Sequence, residues 1–309
     1  MVVSSPQLEV GNGHLGMAGL TGLVEMTIGT PEVIVGLIDG PVLLDHPDLS
    51  GAAVRVLPGS RRAAHAAEYG HGTFIAGMLF GRRGAAAPGI CPGCSLVLRA
   101  IFPGDGREAF TKGDGGPSAS ATELAAAVAE CVDAGAWLIN VSASFGQVSM
   151  LEQHELTSAL DHAASRGVLV VAAAGNQGAI AGSALTRHPW VIPVVACDHD
   201  GLPLPHATLG SGIGRRGLTA PGSGVTSLAP DGEPATASGS SVATPFVTGA
   251  LALLLSLLPG AGPTLVRAAL CGTARPRKTI IPPLLDAWAA YASLAPETPF
   301  KGRSAKEPS

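Results

Sequence analysis

The chain has 309 residues, 46% of them hydrophobic and only 14% charged, a composition that excludes an intrinsically disordered protein. Its formal net charge of −4 argues against a nucleic-acid partner, for which a basic surface is expected. The 42 glycines and 25 prolines predict many short elements joined by tight turns.

The two ends of the chain differ in composition from its middle. Residues 1–30 are Gly-rich and lack the basic and apolar regions of a signal peptide, so we expect a cytoplasmic protein with an N-terminal extension that contains a short helix near 20–27. Residues 296–309 are polar and are expected to form a frayed tail. Residues 31–295 are therefore predicted to form one domain.

Within that domain, apolar runs alternate with helical patterns. Five runs predict strands buried on both faces, at 33–38, 95–101, 136–141, 168–173 and 190–197, and two short strands are predicted at 217–220 and 225–228. Helices are predicted at 70–80, 122–134, 151–166, 242–258, 263–270 and 284–291. The run at 242–258 is interpreted as a buried helix rather than a membrane span. This alternation predicts the α/β class, with three α/β/α layers and a mostly parallel, doubly wound central sheet.

Four polar residues fall where such a sheet carries its functional groups. Asp39 follows the strand 33–38, Asn176 follows the strand 168–173, His71 lies between two glycines at a helix start, and Ser241 follows Gly239 in the first turn of the long buried helix. Taken singly, the first two residues are common turn formers, and the other two are common at helix starts. Together, their types are those that acyl transfer requires.

In that chemistry each of the four residues has a distinct role. Ser241 is the nucleophile, and His71 accepts its proton and later donates it to the leaving amine. Asp39 orients the imidazole and stabilises its charged form. The Asn176 amide and the Ser241 N–H are expected to bind the oxyanion.

These motifs resemble the subtilisin-like serine peptidases, and the resemblance extends from about residue 20 to about residue 293. The motifs that carry it are His46-Pro47-Asp48-Leu49 after Asp39, His71-Gly72-Thr73, Ala172-Ala173-Ala174-Gly175-Asn176 and Gly239-Ser240-Ser241. The order Asp, His, Ser is that of subtilisins, and the 32 residues from Asp39 to His71 and 65 from Asn176 to Ser241 fit a compact core.

The resemblance implies a peptide substrate bound as an added β-strand. By this resemblance, the backbone that pairs with substrate belongs to Leu98, Arg99 and Ala100 on one side and to Ser142, Ala143 and Ser144 on the other. The pocket for the residue before the cleaved bond is expected to be lined by Ala173, Ala174 and Gly175.

Departures from the common subtilisin pattern indicate a subfamily. Gly40-Pro41 follows Asp39, and Ser240 and Val242 replace the usual Thr and Met beside the nucleophile. The sequence is here similar to the cyanobactin maturation proteases, which cut the leader from a ribosomally made precursor peptide. Relatives that close a macrocycle carry an insertion between Asp and His, for which the 32-residue interval has no room, so hydrolysis is favoured. The alternatives are a general intracellular subtilase that degrades proteins and a non-catalytic, peptide-binding pseudoprotease.

No cofactor or metal is expected. Gly81-Arg82-Arg83-Gly84 stands where secreted subtilisins carry a calcium-binding insertion, and Asp48 alone does not make a calcium site. Cys91 and Cys94 have the spacing of a redox or half-zinc site, but no second CxxC completes it. A packing role or one local disulfide therefore remains open for the five cysteines, which are Cys91, Cys94, Cys131, Cys197 and Cys271.

Overall fold

The computed structural model describes residues 13–49, 51, 53–63, 65–102, 119–142, 149–272 and 278–295. Its strands are β1 (Ile34–Asp39), β2 (Val54–Val56), β3 (Ser95–Ala100), β4 (Leu138–Val141), β5 (Leu169–Ala173), β6 (Val191–Cys197), β7 (Leu218–Pro221), β8 (Val225–Ser227) and β9 (Ala235–Ala237). Its helices are α1 (Thr21–Met26), α2 (Gly70–Phe80), α3 (Ala121–Asp133), α4 (Met150–Ser165), α5 (Ala184–Arg187), α6 (Ser211–Arg216), α7 (Ser240–Leu257), α8 (Pro263–Cys271) and α9 (Ala287–Leu294).

A seven-stranded sheet forms the centre of the molecule, in the order β2-β3-β1-β4-β5-β6-β7. Each neighbouring pair of strands in it is parallel. The carboxyl ends of β1 and β5 therefore open on the same edge, which is where ligands of α/β sheets bind. The strands β8 and β9 form a separate antiparallel pair.

Successive residues of the strands point to opposite faces of the sheet, and each face packs against its own helices. Val35 and Leu37 of β1 belong to the core that includes α2 and α7, whereas Ile38 belongs to the core that includes α3 and α4. This arrangement confirms the predicted three-layer α/β/α fold and explains why the strands read as continuous apolar runs.

The helix α7 crosses the core on one face of the sheet. By length and composition alone it could cross a membrane, but 83% of it is buried inside the protein, as the sequence predicted for a core helix.

The predicted strands and helices are present, with ends shifted by up to three residues. The strands β2 and β9, each of three residues, were not predicted, because neither has enough alternation to stand out from the surrounding loop. The residues of β2 are all exposed, so β2 lacks the continuous apolar run by which the buried strands were predicted.

All five cysteines are free and buried, in agreement with the packing alternative. Burial raises the pKa of the Cys131 thiol to about 12 and that of the Cys197 thiol to about 11. Cys91 and Cys94 are hydrogen-bonded to each other, which raises the pKa of the first and lowers that of the second.

Candidate active site

Asp39 is the last residue of β1 and is fully buried. Its Oδ1 accepts hydrogen bonds from the Gly40 N–H at 2.7 Å and from His71 Nδ1 at 2.6 Å. Its Oδ2 is buried and has no hydrogen-bond partner among the residues that the structure describes. The bond between Asp39 and His71 fixes the imidazole with Nδ1 protonated, so that Nε2 is the nitrogen that can accept a proton.

His71 is the second residue of α2 and is 6% exposed. Its neighbour Gly72 explains the glycine in the motif, because a Cβ at this position would lie 2.3 Å from the Pro41 carbonyl oxygen and 2.5 Å from that of Gly40. Only glycine therefore lets the loop after β1 approach the helix that carries the imidazole. The Thr73 hydroxyl fixes the same loop by accepting a hydrogen bond from the Leu43 N–H at 2.9 Å.

Asn176 follows β5 and contacts the start of α7. Its Oδ1 accepts a hydrogen bond from the Ser240 N–H at 2.9 Å, so the amide orientation is fixed and Nδ2 is the group that can donate to a ligand. Gly239 has φ +135°, and a Cβ there would lie 2.9 Å from Asn176 Nδ2. The glycine thus allows the amide to reach the helix end.

Ser241 is the second residue of α7 and is partly exposed. The first hydrogen bonds along the helix run from the Val242 and Ala243 N–H groups to the Gly239 carbonyl, so the Ser241 N–H precedes them. A helix N-terminus favours negative charge, and the residue before this helix, Gly239, has no side chain to cap it. These features provide the setting expected for an oxyanion.

The structure brings two of the predicted catalytic residues into direct contact, Asp39 and His71. It also places the Asn176 side chain in hydrogen-bond contact with Ser240, which directly precedes Ser241. The α2 and α7 helices that carry His71 and Ser241 pack against each other on one face of the sheet.

The prediction that Leu98, Arg99 and Ala100 pair with substrate is wrong. They belong to β3, which is paired with β1 on one side. On the other side, the Leu98 carbonyl accepts a hydrogen bond from the Leu57 N–H at 2.9 Å, and the Ala100 carbonyl accepts one from the Arg61 N–H at 2.8 Å. The unpredicted strand β2 and the residues after it occupy this edge, so no free backbone remains there for a peptide.

The other predicted substrate contacts remain predictions. Ser142 is buried immediately after β4, whereas Ala143 and Ser144 lie outside the described residues. Ala173 and Ala174 are buried at the end of β5, and the Gly175 N–H donates to the Ser240 hydroxyl at 3.1 Å. The segment formed by these three small residues therefore connects the end of β5 to Ser240, the residue that precedes Ser241.

Asp48 forms an ion pair with Arg82 at 2.7 Å between its Oδ1 and Nη2. The Arg82 N–H also donates to the Asp48 carbonyl at 2.8 Å. A guanidinium from the Gly81-Arg82-Arg83-Gly84 segment thus provides the positive charge beside this carboxylate.

Comparison with known proteins agrees with this geometry. Residues 30–294 match the subtilase family, peptidase S8. The chain is a subtilase. Subtilisin BL of Lederbergia lenta is 31% identical over 232 residues, which are 74% of this chain and 78% of that protein. The chain is therefore a subtilisin-like serine endopeptidase.

Two solved structures are similar to this subtilase over almost their whole length. The prenylagaramide maturation protease PagA has 29% sequence identity and a TM-score of 0.76, with 90% of this chain and 99% of that chain covered. A mutant of the protease domain of PatA, a patellamide maturation protease, has 32% identity and a TM-score of 0.74, with 86% and 96% covered.

Proposed function

We propose that this subtilase hydrolyses peptide bonds of a ribosomally made precursor peptide and thereby releases its leader. The observation that carries the catalytic part is the buried bond of 2.6 Å between His71 Nδ1 and Asp39 Oδ1. The similarity to PagA and PatA, which are named as maturation proteases, supports the choice of substrate.

In the proposed mechanism, the Ser241 hydroxyl attacks the scissile carbonyl while its proton passes to His71 Nε2. The Asp39 carboxylate stabilises the resulting imidazolium, which then protonates the leaving amine. The oxyanion of the tetrahedral intermediate accepts hydrogen bonds from the Ser241 N–H and from Asn176 Nδ2. Water then attacks the acyl-enzyme and returns Ser241 to its free form.

Hydrolysis is proposed rather than cyclisation because the chain between Asp39 and His71 is short. Its described part consists of a loop, the 3-10 turns Pro47–Leu49 and Ala66–Tyr69, and the short strand β2. These elements are small, and one of them pairs with β3 instead of covering the nucleophile.

The deciding experiment is mass spectrometry of the products from an unbiased peptide library. The wild type is compared with Ser241→Ala and with the control Ser238→Ala, which changes an exposed serine three residues away. We expect cuts within a narrow sequence context from the wild type and from Ser238→Ala, and none from Ser241→Ala.

Other outcomes contradict defined parts of the proposal. Promiscuous cleavage would favour a degradative subtilase, which the similarity to subtilisin BL makes the second candidate. Turnover that persists in Ser241→Ala would reject the mechanism. Absence of both cleavage and fluorophosphonate labelling of Ser241 in the wild type would indicate a peptide-binding pseudoprotease.

A further inference from the structure

A chain of buried polar groups runs beneath the candidate active site. We call it the Asn140 network, and its members are Ser142, Asn140, Thr248, Thr244 and Ser240. Each member is at most 2% exposed. Burying polar groups is costly unless they are hydrogen-bonded, so five of them in a row within an otherwise apolar core require an explanation.

Asn140 is the centre of this network. It lies in β4, where the other three residues are apolar, and its side chain is fully buried. Its Nδ2 donates to the Ser142 hydroxyl at 2.6 Å, and its Oδ1 accepts from the Thr248 hydroxyl at 2.8 Å. One amide thereby joins the end of a sheet strand to the helix α7.

The network continues along α7 to the residue beside the nucleophile. The Thr248 hydroxyl also lies 3.3 Å from the Thr244 carbonyl, and the Thr244 hydroxyl donates to the Ser240 carbonyl at 2.7 Å. The Ser240 hydroxyl accepts the Gly175 N–H at 3.1 Å. Threonines 244 and 248 are four residues apart, so both lie on the helix face that continues from Ser240.

The two ends of the network have different tasks in the proposed reaction. Ser142 is the first residue after β4, where the backbone that pairs with substrate is expected to begin, whereas Ser240 precedes the nucleophile. Productive attack requires the reacting atoms to lie about 3–3.5 Å apart, and a displacement of about 1 Å can reduce the rate about 100-fold. A change in the link between Ser142 and α7 is therefore expected to change the rate.

We propose that Asn140 and Thr248 are positioning residues, which keep the strand end at Ser142 in register with the first turn of α7. This inference rests on the proposed roles of Ser241 as nucleophile and of Ser142 as the start of the substrate-binding segment. Because α7 also packs against α2, the network aligns the peptide with Ser241 and leaves the alignment of Ser241 with His71 to that helix contact.

The test compares Thr248→Val, which replaces the hydroxyl with a methyl group, with Thr248→Ser, which retains the hydroxyl. The matched control is Thr219→Val, since Thr219 is 1% exposed and its hydroxyl donates to the Pro282 carbonyl at 2.8 Å, at the edge strand β7. For each variant we would measure kcat and KM on a peptide cleaved by the wild type, the rate of fluorophosphonate labelling and Tm.

We expect Thr248→Val to lower kcat about tenfold, while KM and the labelling rate stay within about twofold, because the small probe does not need the substrate-binding segment. Thr248→Ser should recover most of kcat. Thr219→Val should lower Tm without lowering kcat. If Thr248→Val does not fold, Thr248→Ala also removes the hydroxyl that Asn140 accepts and should produce the same separation of kcat from labelling.

Three results would overturn the inference. Equal kcat in Thr248→Val and Thr219→Val would make the network purely structural. A parallel loss of peptide cleavage and labelling would mean that the network aligns Ser241 with His71 and not with the peptide. A wild type that neither cleaves peptides nor reacts with the probe would reject the proposed function itself, and the inference with it.

Discussion

Two pairs of helices, one pair on each face of the sheet, begin in different ways. On one face, α3 starts at Ser120, whose hydroxyl accepts the Glu123 N–H at 3.0 Å, and α4 starts at Ser149, which forms a capping box with Glu152. On the other face, the residues that precede α2 and α7, Tyr69 and Gly239, provide no side-chain cap. The uncapped pair carries His71 and Ser241.

In these four helices, the difference separates two that stabilise the fold from two that present chemical groups. A serine cap is worth about 1 kcal/mol, and a side chain in that position occupies the N–H groups of the first turn. At α7 the place of the cap is taken by Gly239, and Asn176 accepts the Ser240 N–H. The Ser241 N–H is thereby left for a ligand. Burial replaces the missing cap, because α2 and α7 are buried almost all round whereas α4 buries only four of its residues.

The largest effect is expected from the uncapped face. Asp39→Asn should lower kcat about 10⁴-fold, because an amide stabilises the wrong imidazole tautomer. Steady-state kinetics on a cleavable peptide would measure this. Asp48→Asn is the control, since it changes a carboxylate paired with Arg82, and it should retain kcat within about threefold. A loss of less than tenfold in Asp39→Asn would contradict the assigned role.

A smaller effect is expected at the amide beside the uncapped end of α7. Asn176→Leu should lower kcat about 10²- to 10³-fold through loss of an oxyanion donor. Asn176→Asp keeps an acceptor for the Ser240 N–H but loses the donor, so it should also be impaired. If Asn176→Asp were as fast as the wild type, the amide would serve only to orient α7.

The capped face should respond in stability alone. Ser149→Ala removes the cap and its capping box and should lower the free energy of unfolding by about 1 kcal/mol, as measured by urea denaturation. Its kcat should be unchanged. A lower kcat at saturating substrate and at a temperature where the variant is folded would show that the two faces are not independent.

The smallest effect is expected from chelation. Because Arg82 provides the positive charge beside Asp48, activity should survive incubation with EDTA. The same assay on a calcium-dependent subtilisin is the positive control for the chelator. Full loss that calcium restores would reject this prediction.

Much of the fold was predictable from the sequence because its strands are buried on both faces. The runs that became β1 and β5 are apolar throughout, and each is followed by a polar residue at the site edge, Asp39 or Asn176. By contrast, the three residues of β2 are exposed and do not form an apolar run. Because β2 was not predicted, its neighbour β3 was wrongly expected to pair with the substrate. Edge strands are set by pairing with the sheet, which local sequence does not encode.

The Asn140 network was also not predicted, although two features of the sequence indicated buried polar residues at these positions. Asn140 interrupts an apolar strand, and Thr244 and Thr248 recur at helical spacing within an apolar helix. Neither signal identifies its partner, because the contacts join residues 108 positions apart. The close approach of Gly72 to Pro41 is a similar case. The glycine could be recognised in the sequence, but the residue that it contacts could not.

The buried cysteines also make it possible to measure the local opening of this protein. The thiolate is the form that attacks a thiol reagent, and burial both shields Cys131 and Cys197 and raises their pKa values to about 12 and about 11. Modification at neutral pH must therefore wait for the surrounding segment to open. The rates at Cys131, Cys197 and Cys271 then measure the opening equilibria of α3, β6 and α8, without any engineered label.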